Sequence, residues 1–320
     1  MISPLPKPRP TDFHPAGIKP QNDRLVKEKN GMTIAIGMLC HGGAILATDG
    51  RGSYGDGTAA RARKLCVVDT RSNFSFAIAT AADDLDAAET LVRAISGTLI
   101  DKAATIKEWE QVEEIAARKM SKWHHAYGQH TPPCTRLIAG ILMAGKGPRL
   151  YRWEPPATVV PKEEGYAAAG SGEAVTNPLY ATFFSPLSPS LGPQYVCRQL
   201  AYLMYRAKKD NIYCGNSTDA VFLNTADVSA TWINGYDFRD AESASFQLDL
   251  ILQHTTTAAL TDSGQFLENN ASSIKNVILR CERLRETVFH ASSGKIIGEI
   301  SPEEKAARRM AEVRGKDAGL

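Results

Sequence analysis

Apolar residues in the first half of this chain form runs typical of strands, followed by runs typical of helices. TIAIGMLCH and AILATD flank the turn His41-Gly42-Gly43, which predicts a β-hairpin. NFSFAIATA, at 73–81, predicts a third strand. The polar pair Asp83-Asp84 then begins a predicted helix, in which apolar residues from Leu85 to Leu99 recur at spacings of three and four.

The same alternation continues in the second half. A second helix has an apolar face from Val112 to Tyr127, and two strands at 135–144 and 149–154 form another predicted hairpin around GKGP. Two further helical stretches and a returning strand follow, at 174–184, 193–208 and 219–226. Hairpins alternating with helix pairs favour layered antiparallel sheets covered by helices, an α+β fold, over a parallel sheet.

The pattern divides the chain into three parts. Residues 1–32 are aperiodic, with six prolines in the first twenty positions, and are predicted to be an extended lead-in or a removed segment. Residues 33–255 are long enough for one well-buried domain. Residues 256–320 are predicted to be a helical extension, in which 274–290 shows helical spacing with a basic face.

Composition and charge exclude several classes of function. The net charge of +2 shows no strong field for nucleic acid or an anionic membrane surface. No apolar run reaches the length of a membrane-spanning helix, and the proline-rich start lacks the apolar core of a signal peptide. Six dispersed cysteines without a CxxC pair predict reduced thiols and a cytoplasmic protein.

Neither a metal nor another cofactor is expected. HHAYGQHTPPC, at 124–134, gathers three histidines and a cysteine, but their spacing fits no common zinc pattern. GKGP, at 145–148, lacks the frame of a phosphate-binding loop.

Thr33, Asp49 and Lys64 are the candidate catalytic group. An N-terminal threonine can act as a nucleophile because its own α-amine removes the hydroxyl proton. A nearby ammonium lowers the pKa of that amine from about 8, and a buried lysine in turn needs a carboxylate partner. However, β-branched residues start many strands, and ARARKLCVVD is also typical of a basic edge before a strand. The residue types alone leave both interpretations open.

Several motifs in this region resemble one known family. They are TIAIGMLCHGGAILATDGRGSYGDG, RKLCVVD, FAIATAADDLDAAETLVRAI, LIAGILMAGKGPRLYRWEP, GYAAAGSGEA and the AKKD before a strand. In this order they resemble a proteasome β-type subunit, across residues 33 to about 228. The resemblance implies a four-layer α-β-β-α sandwich of the N-terminal-nucleophile hydrolase type, and the activity of a threonine-type endopeptidase.

The resemblance also implies a role for each matching residue. Thr33 falls on the nucleophile, Asp49 on the acid that holds the lysine, and Lys64 on that lysine after a one-residue gap. Ser171 and Asp210 fall on the groups that position and protonate the terminal amine. The family has a further serine after this aspartate, and its counterpart here is open among three residues: Tyr213, Cys214 and Ser217.

The resemblance extends to the residues that meet the substrate. The backbone N–H of Ala79 is the implied oxyanion donor, at a place where the family usually has glycine. Gly52, Ala77 and Ala81 fall near the first substrate pocket, and their small size predicts room for a large apolar side chain. The implied partners are peptides or unfolded proteins, subunits of the same kind in a ring, and an ATPase unfoldase.

This activity depends on the bond between Met32 and Thr33. The family commonly cuts after glycine, whereas Gly31-Met32 precede Thr33 here. Self-cleavage would expose the threonine, and so would synthesis from Met32 followed by methionine removal, as in the bacterial HslV-type peptidases. If neither happens, Thr33 has no amine base. The protein would then be a silent structural or gating subunit. A separate alternative to the peptidase is a small-molecule amidase with the same fold.

Overall fold

A computed structural model describes residues 33–53, 59–70, 73–185 and 188–261, together with Lys275 and Leu279, which are both helical. The lead-in predicted at 1–32 lies outside the described residues, and so does nearly all of the helical extension predicted at 256–320, including most of 274–290.

Twelve strands in the described residues form two five-stranded antiparallel sheets and one small two-stranded sheet. The first sheet has the order β10-β1-β2-β11-β12, with β10 at Tyr166–Gly170, β1 at Ile34–Cys40, β2 at Gly43–Asp49, β11 at Thr218–Asn224 and β12 at Ser229–Ile233. The second has the order β5-β6-β7-β8-β9, with β5 at Leu65–Asp69, β6 at Phe74–Ala82, β7 at Thr135–Met143, β8 at Gly147–Glu154 and β9 at Thr158–Pro161. The small sheet pairs β3 (Arg51–Ser53) with β4 (Ala59–Arg61).

Five α-helices cover the outer faces of these sheets in the described part of the chain. They are α1 (Leu85–Lys102), α2 (Trp109–His125), α3 (Glu173–Phe183), α4 (Pro193–Asp210) and α5 (Gly235–Thr261). Side chains of α1 and α2 share a buried apolar layer with the second sheet, and side chains of α3, α4 and α5 share another with the first sheet. No helix among the described residues is both long enough and apolar enough to cross a membrane.

A third apolar layer lies between the two sheets, so the chain is a four-layer α-β-β-α sandwich. The pleat of β6 shows how one strand serves two layers. Phe74, Phe76 and Ile78 face α1 and α2, whereas the alternate residues face the first sheet. From residue 77 onward these alternate residues are alanines, Ala77, Ala79 and Ala81, and their small side chains suit the close approach of two sheets.

The predicted α+β class and layered architecture are confirmed, but several elements were not predicted, among them β9, β10, β12 and α5. β12 is short, and Trp232 on it is partly exposed, so its sequence lacks a clean alternation. α5 contains small and β-branched polar residues that weaken helical spacing. Packing stabilises it instead, because Phe238, Ala241 and Ala244 are buried. This helix continues across residue 255, where the sequence pattern suggested a boundary.

The pairing of strands brings distant segments together at one end of the strands of the first sheet. Ile34, at the start of β1, lies opposite Gly170, at the end of β10. Asp49, at the end of β2, lies opposite Thr218, at the start of β11. Antiparallel order therefore gathers the start of β1, the end of β2, the 170–172 turn and the loop before β11 in one place.

Candidate active site

Thr33, Asp49 and Lys64 meet at this end of the first sheet, as the sequence predicted. The Thr33 hydroxyl donates a hydrogen bond of 2.8 Å to Oδ1 of Asp49 and accepts one from Nζ of Lys64. Nζ of Lys64 lies 2.9 Å from the same Oδ1 atom. All three residues are buried, with Thr33 only 1% exposed. The hydroxyl therefore contacts both members of a buried ion pair.

Asp49 is the centre of this group because four donors converge on its carboxylate. In addition to Thr33 and Lys64, the backbone N–H of Ile34 bonds to Oδ1 at 3.0 Å, and that of Gly215 bonds to Oδ2 at 3.0 Å. A carboxylate that is fully buried needs such partners to offset its loss of hydration.

The charge on Lys64 is under two opposing influences. Burial lowers the pKa of its ammonium below the ordinary value, and the Coulomb attraction and hydrogen bond of Asp49 act in the other direction. A lysine with a lowered pKa gives up its proton more easily than an exposed one. The ion pair with Asp49 is what favours the charged form of Lys64 in this buried place.

Ser171 holds the backbone of Thr33 from the other side. The N–H of Thr33 lies 3.3 Å from the Ser171 hydroxyl, which in turn donates to the Thr33 carbonyl at 3.1 Å. The preceding Gly170 has a φ of +102°, and a Cβ there would lie 2.4 Å from the Thr33 carbonyl oxygen. Only glycine fits this position, so the Gly-Ser-Gly turn allows Ser171 to approach Thr33 closely.

The described contacts of the Asp210 carboxylate are with Arg206 and not with this group, so the structure does not support its prediction as an amine-positioning residue. Asp210 is the last residue of α4, and its carboxylate pairs with Arg206 one turn earlier, at 2.8 Å. Its neighbour Asn211 reaches the site instead, donating from Nδ2 to the Ser171 carbonyl at 2.6 Å. Because α4 ends at this point, the adjacent side chains of Asp210 and Asn211 face different surroundings.

Of the three candidates for the further hydroxyl position, the structure brings Cys214 to the site. Its Sγ lies 3.8 Å from the Ser171 hydroxyl. Tyr213 instead donates its N–H to Oδ1 of Asn211, and Ser217 accepts a bond at its carbonyl from Gly50. Burial raises the pKa of the Cys214 thiol to about 12, so it stays neutral near physiological pH.

Comparison with known proteins identifies the family to which this chain belongs. A model of the family described as proteasome subunit matches residues 28–215, which is more than half of the chain. The chain belongs to the proteasome subunit family.

The proteins that this chain resembles match it over most of their own length but share little sequence identity with it. The proteasome subunit beta of Methanococcus vannielii is 24% identical over 219 residues, which cover 68% of this chain and 92% of that protein. Among solved structures, Anbu (ancestral beta-subunit) from Yersinia bercovieri is 14% identical, with a TM-score of 0.59 over 69% of this chain and 96% of that one. The Anbu complex from Pseudomonas aeruginosa, described as a helical assembly, is 16% identical, with a TM-score of 0.53 over 69% and 96%. These two likenesses show the shared fold.

In this proteasome-family subunit, the N–H of Ala79 does not face Thr33. Hydrogen bonds just beyond the two ends of β6 show which of its residues pair with β7. The N–H of Ala144 donates to the carbonyl of Asn73 at 2.8 Å, and the N–H of Asp83 donates to the carbonyl of Cys134 at 3.0 Å. The odd-numbered residues of β6 therefore bond to β7. The even-numbered residues of β6 face the other way, as Thr80 shows, because its N–H donates to the Lys64 carbonyl at 2.8 Å. The Ala79 N–H is therefore engaged with β7, which corrects its prediction as the oxyanion donor.

The three predicted pocket residues lie in two places. Ala77 and Ala81 are buried between the sheets, and the Cβ of Ala81 lies 3.2 Å from where a Cβ on Gly170 would be. Ala81 is thus close to the Thr33 carbonyl, whereas Ala77 lies four residues deeper along β6. Gly52 is on β3, opposite Ala60. Their role as a substrate pocket stays a prediction.

Proposed function

We propose that this subunit is a threonine-type endopeptidase whose nucleophile is Thr33, exposed when residues 1–32 are removed. One observation carries the proposal: the Thr33 hydroxyl bonds to both Asp49 and Lys64, which form an ion pair buried at the start of β1. A strand-starting threonine needs no such partners for β propensity alone. Burying a lysine and a carboxylate together costs free energy, which is typical of a site that needs them for chemistry.

In the proposed mechanism, the exposed Thr33 amine accepts the hydroxyl proton while the hydroxyl oxygen attacks a peptide carbonyl. The tetrahedral intermediate collapses as the amine returns the proton to the leaving peptide nitrogen, leaving an ester on Thr33. Water then attacks this ester, and the hydroxyl regains its proton as the acid product leaves. Lys64, held by Asp49, lowers the pKa of the amine and stabilises negative charge that develops near the hydroxyl.

A catalytically silent subunit is the second candidate, and the end of the site near the threonine nitrogen favours it. In the full chain this nitrogen belongs to the Met32–Thr33 peptide bond, and its described acceptor is the Ser171 hydroxyl. The groups found next to Ser171 are the neutral amide of Asn211 and the neutral thiol of Cys214. Among the described residues, only Asp49 brings a carboxylate into hydrogen-bond contact with Thr33.

The proposal includes an assembly and a compartment. We propose that this chain forms a closed or helical oligomer with other proteasome-like subunits in the cytoplasm, where it degrades peptides or unfolded proteins, with an ATPase unfoldase as a candidate partner. The helical assembly described for the Anbu complex of Pseudomonas aeruginosa supports this proposal. In the proposed oligomer, residues 33–255 of this chain are the peptidase domain and residues 256–320 are a helical extension. Sedimentation of the purified protein tests it, and a monomer would contradict a sequestered protease.

The decisive experiment combines intact mass with labelling by a β-lactone probe, which acylates a nucleophilic threonine. We expect a mature chain that begins at Thr33 and gains one probe on that residue. Thr33→Val should abolish labelling. Thr48→Val is a matched control, because the Thr48 hydroxyl is buried nearby on β2 and has no hydrogen-bond partner among the residues that the structure describes. A chain that still begins at Met1 and takes no probe would exclude the peptidase and favour the silent subunit.

A further inference from the structure

The loop 211–217, between α4 and β11, makes three hydrogen bonds at the candidate site, in addition to the contact of Cys214 with Ser171. Asn211 donates to the Ser171 carbonyl at 2.6 Å, and Gly215 donates to Oδ2 of Asp49 at 3.0 Å. The carbonyl of Ser217 accepts from the N–H of Gly50, the residue after Asp49, at 2.7 Å. Within the loop, the N–H groups of Tyr213 and Cys214 bond to Asn211, and Arg51 donates to the Ile212 carbonyl. The two ends of the loop have further contacts, which come from α5.

One carboxylate on α5 contacts both ends of this loop. Glu242 pairs with Lys208, near the end of α4, at 2.9 Å, and it also bonds to the hydroxyl of Thr218, the first residue of β11. Lys208 itself donates to the Thr218 hydroxyl at 2.6 Å, so the three side chains form a closed network across the loop. The side chains of Glu242 and Lys208 are only 13% and 14% exposed.

A second contact between α5 and α4 reinforces the first. Asp249 is 7% exposed and accepts from Lys209 at 3.0 Å and from the Tyr205 hydroxyl at 3.2 Å. Two successive lysines at the end of α4 are thus paired with two carboxylates on α5. Partly buried pairs of this kind constrain geometry more than exposed ones do.

We propose that Glu242 is a positioning residue of the candidate site, which acts by holding both ends of loop 211–217. Through the loop it keeps Asn211 on Ser171 and Gly215 on Asp49. The inference rests on the proposed function in that Ser171 and Asp49 serve the Thr33 site. Glu242 lies beyond residue 215, where the match to the family model ends. The site therefore depends on a helix outside the matched segment.

Cys214 reports the position of this loop without any need for peptidase activity. It is 3% exposed, and burial raises the pKa of its thiol, so alkylation in the closed loop is slow. Opening of the loop would expose the thiol and restore its ordinary reactivity. Cys197, on α4 itself and fully buried in the core, is an internal reference that reacts only if the domain loosens as a whole.

The experiment measures iodoacetamide alkylation of the full-length protein, read at each cysteine by peptide mass spectrometry. In Glu242→Gln we expect the Cys214 rate to rise at least about tenfold, the change in thiolate that accompanies one unit of pKa, while Cys197 stays protected. Glu89→Gln is the matched control, since Glu89 pairs with Arg93 on the exposed face of α1. An unchanged Cys214 rate, or an equal rise at Cys197, would overturn the proposal.

Two further measurements separate positioning from folding and from the proposed activity. If Glu242→Gln does not fold, Thr218→Val is the second variant. It removes the hydroxyl from the same network, leaves the charged groups of Lys208 and Glu242 in place, and should also raise the rate of Cys214 alkylation. Where Thr33 takes the β-lactone, Glu242→Gln should lower the first-order acylation rate and leave the apparent binding constant of the probe unchanged. A wild-type chain that takes no probe contradicts the peptidase, whereas the Cys214 rates still decide whether Glu242 holds the loop.

Discussion

Nζ of Lys64 lies 2.9 Å from Oδ1 of Asp49, and their side chains are only 1% and 0% exposed. Neither residue is close to the other in sequence, and Lys64 stands before an edge strand of the second sheet while Asp49 ends a strand of the first. The pair therefore links the two sheets at the candidate site, in addition to contacting Thr33. Its disruption should affect both stability and reactivity.

Replacing Lys64 with methionine should destabilise the protein strongly. The change leaves the Asp49 carboxylate buried without its cationic partner, which costs about 3–5 kcal/mol in the free energy of unfolding. Urea unfolding measures this cost. In the control Lys162→Met, which breaks the more exposed pair of Lys162 with Glu164, the loss should stay below about 1 kcal/mol. Similar losses in the two variants would show that the Lys64–Asp49 pair contributes no more than a surface pair.

A methyl group at residue 170 should disturb the candidate site directly. In Gly170→Ala the new Cβ would lie 2.4 Å from the Thr33 carbonyl oxygen, so the Thr33 backbone must move. We expect loss of β-lactone labelling together with a stability loss of about 1–3 kcal/mol. Gly145 is the matched control, because its φ is +77° but a Cβ there meets nothing within 4 Å. If Gly145→Ala and Gly170→Ala behave alike, positive φ alone accounts for the effect.

Substitutions at two adjacent residues should have very different consequences. Asp210→Ala loses a surface pair with Arg206, worth about 0.3–0.5 kcal/mol. Asn211→Ala removes a donor to the Ser171 carbonyl and the acceptor of the Tyr213 N–H, which should cost about 1–3 kcal/mol. Thermal unfolding and β-lactone labelling of the two variants provide the test. A larger effect at residue 210 would restore the original assignment.

Alkaline solution should destabilise the protein because buried thiols must stay protonated in the folded state. Burial raises the pKa of Cys40 from 9.0 to about 12. The unfolded chain therefore releases a proton that the folded chain keeps, so the stability from this group is complete below pH 9 and declines above it. At pH 10 the loss from this group is about 1.4 kcal/mol.

Urea unfolding at pH 8 and pH 10 measures this decline. Cys40→Ala should be less stable at pH 8, because a buried side chain is shortened, but should lose less stability than the wild type between the two values. Removal of the exposed Cys134 as Cys134→Ala should leave the wild-type decline nearly intact. An equal decline in Cys40→Ala and the wild type would contradict the assignment.

Hydrophobic spacing alone was sufficient to predict most of the layers. The first hairpin, strand β6, helices α1 to α4 and strand β11 were all predicted near their observed bounds, because each contains several turns or pleats of consistent spacing. α5 was missed, since its stability comes from packing of a few buried residues on α4 rather than from a periodic face.

The sequence by itself determined the residue types of the candidate site and the order in which they occur. Thr33 at the start of a strand, Asp49 at the end of one and Lys64 before another stand out by residue type and position, and the resemblance to a proteasome β-type subunit adds Ser171 and assigns a role to each. Only the tertiary structure decided which neighbour reaches the site. Asn211 rather than Asp210 bonds to Ser171, the N–H of Ala79 is engaged with β7, and Glu242 holds the loop from another helix. The direction of a side chain at a helix end, the neighbour to which each strand residue bonds and the formation of long-range ion pairs all depend on how the elements pack. Local spacing in the sequence does not determine that packing.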